Sequence, residues 1–217
     1  MDIARLIDHT LLKPAATTTD IKNLCKEAMD HSFFAVCVPP CYVSCARQEL
    51  QGTNVKIATV IGFPLGYSVA KQAEIEIAVK DGTDELDIVH NIAAFKTGDY
   101  SYCEQEMKQC IELAHRNNKK IKIILETGLL ADEEIIRACE LYAPYNPDFL
   151  KTSTGFTETG ATVAAVKLLR KNLPAHIAIK ASGGIRNFAF AKELVEAGAT
   201  RLGCSAGIQI LEQSKLS

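Results

Sequence analysis

No surplus of positive charge marks this sequence: 24 Lys and Arg stand against 26 Asp and Glu in 217 residues, a formal charge of -2. Little is available to cover a phosphate backbone or an anionic lipid surface, so nucleic acid is not an expected partner. Long apolar runs are also missing. Asp2, Arg5, Asp8 and Lys13 interrupt the stretch where a secretory leader needs unbroken hydrophobicity. Export and membrane insertion are disfavoured, and a cytoplasmic location is expected. The final Ser-Lys-Leu-Ser carries Ser217 beyond a peroxisomal tripeptide and spoils the position a receptor would read. No CxxC pair accompanies the eight cysteines, which are spread along a chain too large to need disulfides. Reduced thiols are expected, with no metal held by Cys37, Cys41 and Cys45, and Cys25, Cys110 and Cys139 packed as small apolar residues. No low-complexity run or linker divides the chain, so residues 1–217 are expected to form one domain.

What the sequence does contain is a recurring unit, a short β-rich run followed by a helical pattern. The runs are 9–12, 33–38, 55–62, 85–92, 120–126, 148–153, 176–182 and 200–205. Between them, 19–31, 69–81, 100–117, 132–142, 162–172 and 187–197 place most apolar residues at helical spacing. Asp132 and Thr162 suit helix starts and Gly198 a stop. Crossovers of this length make the strands parallel. Eight units are the number that closes a (β/α)8 TIM barrel. An open doubly wound sheet is the alternative, but no G-x-G-x-x-G follows the first run.

Barrel active sites lie at the carboxy-terminal ends of the strands, and side chains alternate between the interior and the helices. In Ile177-Ala178-Ile179-Lys180 the isoleucines suit the helix side, which turns Lys180 inward. Leu86 and Ile88 turn Asp87 inward by the same logic, and Leu150 outward puts Lys151 inward. A buried ammonium is costly unless paired or neutralised. Each lysine alone could reach water or pair with Asp87. Two together disfavour each other's protonated form, so one amine can be neutral near pH 7 and attack a carbonyl. Asp87 can then exchange protons beside the reacting carbon. Parity leaves the two lysines equivalent.

After the last two β-rich runs come Ser182-Gly183-Gly184-Ile185-Arg186 and Gly203-Cys204-Ser205-Ala206-Gly207. Glycines and small hydroxyls at this place in a barrel bind phosphate through backbone N–H groups and a helix amino terminus. A phosphorylated carbonyl compound would suit a pocket with two lysines against one aspartate.

Ile7-Asp8-His9-Thr10-Leu11-Leu12-Lys13-Pro14, Val60-Ile61-Gly62-Phe63-Pro64-Leu65-Gly66, Asp84-Glu85-Leu86-Asp87-Ile88-Val89, Lys151-Thr152-Ser153-Thr154-Gly155-Phe156 and Lys180-Ala181-Ser182-Gly183-Gly184-Ile185-Arg186 together resemble the deoxyribose-phosphate aldolase family. The likeness covers nearly the whole chain in order. It implies a (β/α)8 barrel and a class I, metal-independent aldolase with no cofactor. The implied reaction interconverts 2-deoxy-D-ribose 5-phosphate with D-glyceraldehyde 3-phosphate and acetaldehyde, in deoxyribonucleoside catabolism. Carried onto this sequence, it makes Lys151 the Schiff-base lysine and Lys180 the second lysine, which perturbs the first and helps move protons. Asp87 becomes the acid/base residue working through an ordered water. Thr154, Gly155, Gly183, Gly184, Gly203 and Ser205 become substrate and phosphate contacts, and Asp8, Thr10 and Cys37 line or support the pocket. The expected partner is a small phosphorylated sugar, and the expected assembly a homo-oligomer, dimer or tetramer. The sequence departs from the family pattern at His90, at Ala93, at Tyr67-Ser68-Val69-Ala70 and at Ala206. Another Schiff-base aldolase or transaldolase, or a catalytically silent phosphosugar-binding barrel, shares the same fold-level features.

Overall fold

A computed structural model describes residues 2–216. Ser217, on which the terminal-tripeptide reading turns, lies outside the described residues. Eight parallel strands pair in chain order and the last closes on the first. They are β1 (Ile7–Thr10), β2 (Ala35–Val38), β3 (Lys56–Ile61), β4 (Glu85–Val89), β5 (Lys120–Ile124), β6 (Phe149–Lys151), β7 (Ala178–Ser182) and β8 (Arg201–Cys204). The barrel expected from the alternation of runs is the one observed. Around it run the helices α1 (Thr18–Asp30), α2 (Val43–Glu49), α3 (Lys71–Asp81), α4 (Ile92–Lys96), α5 (Tyr100–Arg116), α6 (Asp132–Tyr142), α7 (Val163–Asn172), α8 (Phe188–Glu196) and α9 (Gly207–Ser214). None is long and apolar enough to cross a membrane.

Side-chain caps set most helix starts. Thr17 and Asp20 form a reciprocal capping box on α1. Asn91, Asp99, Thr162 and Asn187 each accept an amide of the first turn of α4, α5, α7 and α8. Thr162 is thus the start the sequence indicated. Gly198, at φ 117°, follows α8 in a conformation that a side chain would strain. Strand boundaries moved where polar caps or pocket residues compete with β-propensity. The fourth run ends at Val89 rather than 92, because Asn91 starts α4. The first lies at residues 7–10 rather than 9–12, because Leu11 and Leu12 leave the sheet to line a cleft. The short helices α2, α4 and α9 carry too few turns for a clear periodic signal.

Burial divides cleanly by strand parity. Val36, Ile57, Ile61, Leu86, Ile88, Ile121, Ile123, Leu150, Ile179 and Leu202 belong to the apolar shell between barrel and helices. Each such side chain contributes about 1.5–3 kcal/mol by leaving water. Inside the barrel, Cys37, Ala58 and Val60 form a separate small cluster with Leu12 and Phe63. The charged inward residues Asp8 of β1, Glu85 and Asp87 of β4, Lys122 of β5, Lys151 of β6, Lys180 of β7 and Arg201 of β8 make the site. All eight cysteines are free, with Cys41 exposed, Cys45 half-buried, and Cys25, Cys110 and Cys139 buried as expected.

Candidate active site

Asp87 is fully buried at the centre of β4, and its two carboxylate oxygens are used differently. Oδ1 accepts from Lys122 Nζ of β5 at 2.6 Å. Oδ2 accepts from Lys151 Nζ of β6 at 2.8 Å and from Lys180 Nζ of β7 at 2.7 Å. Neighbouring-strand register brings these groups together, since Asp87 pairs with Lys122 and Lys151 with Lys180. Lys180 also donates to Asp8 Oδ2 of β1. Beneath them, Arg201 Nη1 of β8 donates to Asp8 Oδ1 at 2.9 Å and to Glu85 Oε2 at 3.0 Å. Lys122 lies 2.6 Å from the same Glu85 oxygen. Lys122 is paired in register with Phe149, which puts Lys151 one inward step closer to the barrel mouth.

Buried charges persist only when compensated. This network holds four bases, Lys122, Lys151, Lys180 and Arg201, against three carboxylates, Asp8, Glu85 and Asp87. One neutral base leaves it balanced. Burial lowers the pKa of Lys151, and the Lys180 cation lowers it further, against the pull of Asp87. Burial acts on Lys180 as well, but Asp8 and Asp87 outweigh it and raise its pKa. Asp87, despite burial, is held well below the usual carboxylate range by Lys122, Lys151 and Lys180. Asp8 is lowered to about 2 against burial by Lys180, Arg201 and Lys122. The two lysines that parity left equivalent differ in their partners: Lys180 has two carboxylates, and Lys151 has one oxygen that it shares.

Above the network opens a cleft of about 320 Å³. Lys151 lies on its floor, and Thr154, Gly155, Gly183, Gly184, Gly203 and Ser205 all line it. Gly155 and Gly183, with φ of 86° and 87°, face each other across the loops after β6 and β7. A Cβ on Gly203 would meet Lys180 Cε at 3.0 Å, so the missing side chain there gives Lys180 its place. Thr10 lines the cleft, and its hydroxyl donates to the Asp8 carbonyl. Cys37 stays buried within the barrel, where burial raises its thiol pKa. Exposed Lys13 and Arg186 add positive charge to the rim.

Thr154 is engaged locally. Its amide lies 3.2 Å from Glu126 Oε2, its hydroxyl donates to the same oxygen, and that hydroxyl accepts from the Phe156 amide at 3.1 Å. Thr157 Oγ1 donates to Glu126 Oε1 at 3.1 Å. Glu126 is itself buried, with a left-handed φ of 57°. It therefore anchors the loop that carries Thr154 and Gly155.

The structure brings Asp87, Lys151 and Lys180, which the sequence turned inward, into contact, and adds Lys122, Glu85, Arg201 and Glu126, which sequence reasoning did not single out. Lys122, Glu85 and Arg201 follow from the same parity rule: Ile121 and Ile123 outward turn Lys122 inward, and Leu202 outward turns Arg201 inward. His90, a departure from the family pattern, faces the helices. Its Nε2–H donates to the Leu125 carbonyl at 3.0 Å, and Nδ1 accepts from the Tyr142 hydroxyl at 3.0 Å. Burial lowers its pKa to about 3.

Residues 3–213 match the family described as DeoC/LacD family aldolase. The chain is 48% identical over 219 residues to the deoxyribose-phosphate aldolase of Thermococcus gammatolerans, covering 99% of this chain and 97% of that one. It is 47% identical over 218 residues to that of Caldanaerobacter subterraneus subsp. tengcongensis, covering 99% and 94%. Among solved structures, the tetrameric deoxyribose phosphate aldolase from Aeropyrum pernix superposes with a TM-score of 0.92 at 32% identity, over 98% of this chain and 91% of that one. The chain belongs to the DeoC/LacD family of aldolases.

Proposed function

We propose that this chain, as a single (β/α)8 domain, cleaves 2-deoxy-D-ribose 5-phosphate to D-glyceraldehyde 3-phosphate and acetaldehyde, with Lys151 as nucleophile. The observation that carries this reading is the placement of one lysine of lowered pKa on the floor of a cleft, beside a buried carboxylate and a second, fully paired lysine. Neutral Lys151 Nζ adds to the aldehyde carbon of the open-chain sugar, and loss of water gives an iminium. The iminium withdraws the electron pair of the bond between the second and third sugar carbons. That bond breaks as the third-carbon hydroxyl loses its proton, releasing D-glyceraldehyde 3-phosphate and leaving an enamine on Lys151. Protonation of the enamine and addition of water release acetaldehyde and restore the amine.

Asp87 Oδ2 touches both lysine nitrogens, so it serves as the acid/base group, with Lys180 as proton reservoir. Gly155, Gly183, Gly184, Gly203 and Ser205 lie where a phosphate would be held at the mouth, and Glu126 sets Thr154 beside them. The balanced overall charge and the absence of any membrane-length helix among the described residues support an enzyme of the cytoplasm that acts on a small phosphorylated sugar. Tetramer formation by the Aeropyrum pernix relative supports a homo-oligomer, dimer or tetramer.

Incubation with 2-deoxy-D-ribose 5-phosphate should release acetaldehyde and D-glyceraldehyde 3-phosphate in equal amounts. A protein that binds the sugar phosphate without forming either product would be a silent barrel, and a different donor fragment would mark another aldolase.

A further inference from the structure

The amine of Lys151 is in contact with a network whose charges can be counted. With Lys151 neutral, Lys122, Lys180 and Arg201 stand against Asp8, Glu85 and Asp87, three against three. Lys122 bonds directly to Asp87, yet the reaction as proposed gives it no role. It is fully buried one step below Lys151, bonded to Asp87 Oδ1 and Glu85 Oε2, and does not line the cleft.

We propose that Lys122 is a positioning residue that keeps Lys151 unprotonated: it supplies the third cation of the network and occupies Asp87 Oδ1, leaving only Oδ2 for the reacting amine. This rests on Lys151 being the nucleophile. Three charged or titratable groups face that amine. Asp87 faces it from β4, Lys180 from β7 and the Cys37 thiol from β2. Asp8 on β1 acts through its bond to Lys180 and Lys122 on β5 through its bond to Asp87, while Glu85 on β4 holds Lys122 and Arg201 on β8 bridges Asp8 and Glu85. Glu126 at the end of β5 is engaged by Thr154 and Thr157.

Removing Lys122 leaves two cations against three carboxylates, and protonation of Lys151 restores balance. The amine pKa should then rise, since loss of a like charge favours the protonated form. Removing Glu85 alone does the opposite. Removing both restores two against two.

The test is the pH dependence of borohydride trapping with acetaldehyde, with the adduct located by peptide mass spectrometry. Lys122→Met should raise the apparent pKa for trapping at Lys151 by about one unit or more, slowing trapping about tenfold at pH 7 with recovery at high pH. Lys122→Met/Glu85→Gln should return the profile to that of the unaltered protein. A folded Lys122→Met protein with an unchanged profile overturns the proposal, as does a double variant that stays shifted. If Lys122→Met does not fold, Glu85→Gln decides: its trapping pKa should fall, and an unchanged or raised value overturns the proposal. An adduct of the unaltered protein on Lys180 overturns both this inference and the nucleophile assignment. An adduct on Lys151 with unmoved profiles overturns the inference alone.

Discussion

Lys151 and Lys180 donate to one and the same oxygen, Oδ2 of Asp87, at 2.8 and 2.7 Å. Two ammonium groups cannot share that oxygen in a buried site without mutual repulsion, and the second carboxylate, Asp8, contacts only Lys180 of the two. The asymmetry gives each lysine its own response to substitution.

Lys151→Ala should abolish cleavage while leaving the melting temperature within a few degrees, because it removes the base that the network's charge balance does not need. Lys151→Arg should not restore turnover, since a guanidinium stays protonated and cannot form an imine. Turnover by either variant above about a hundredth of the original rate would contradict the assignment.

Lys180→Leu removes a cation that opposes the protonated form of Lys151, so the Lys151 pKa should rise, although the apolar side chain adds desolvation in the other direction. The variant should be slow at pH 7, regain part of its rate as pH increases, and still be trapped at Lys151. Asp87→Asn should be slow at every pH, because a proton-exchange group is missing. Parallel pH–rate profiles for the two variants would contradict this division of roles.

Asp8, lowered to about 2, and Asp87, held well below the usual carboxylate range, make stability depend on acid. A carboxylate with a depressed folded-state pKa contributes stability that is complete above its unfolded value of about 3.9 and is lost as pH falls through the folded value. Melting temperature should therefore drop steeply between about pH 4 and pH 2. Asp8→Asn should melt lower at pH 7 and lose less across that window. An unchanged slope would place the acid sensitivity elsewhere.

Ser205 and Glu126 probe the proposed phosphate end. Ser205→Asp sets a carboxylate against the phosphate, so KM for the phosphorylated sugar should rise well above tenfold while plain deoxyribose is little affected. Glu126→Ala should also raise KM, by freeing the loop of Thr154 and Gly155, and leave acetaldehyde trapping at Lys151 nearly intact. Glu126→Gln should recover most of the loss, because its amide can donate to Thr157 Oγ1, whose own proton then goes to the Thr159 carbonyl at 3.2 Å. Equal effects on phosphorylated and plain sugar would move the phosphate site away from Ser205.

The iminium is the electron sink in this scheme, so chelating agents should leave the rate unchanged. A loss of activity on chelation that added divalent metal restores would contradict the Schiff-base route.

The barrel was legible because every strand alternates helix-facing isoleucine, leucine or valine with something else, and that something else at Asp87, Lys151 and Lys180 was charged. The same alternation held Lys122, Glu85 and Arg201, which look like ordinary strand-start charges until register stacks them. Lys120, at the head of β5, is such a residue: it is exposed and pairs with Asp148. Glu126 was hidden for another reason. The fifth run extends to 126, but the strand ends at Ile124 and Glu126 lies beyond it in a left-handed turn, with partners from a loop 28 to 31 residues away. Which lysine loses its proton was likewise beyond parity, because it depends on how many carboxylates each one touches.

The most direct measurement is borohydride reduction during turnover of 2-deoxy-D-ribose 5-phosphate, followed by peptide mass spectrometry. A single reduced adduct on Lys151, absent from Lys151→Ala and still formed by Lys180→Leu at high pH, is the predicted result. An adduct on Lys180 alone, or turnover with no lysine adduct at all, would contradict it.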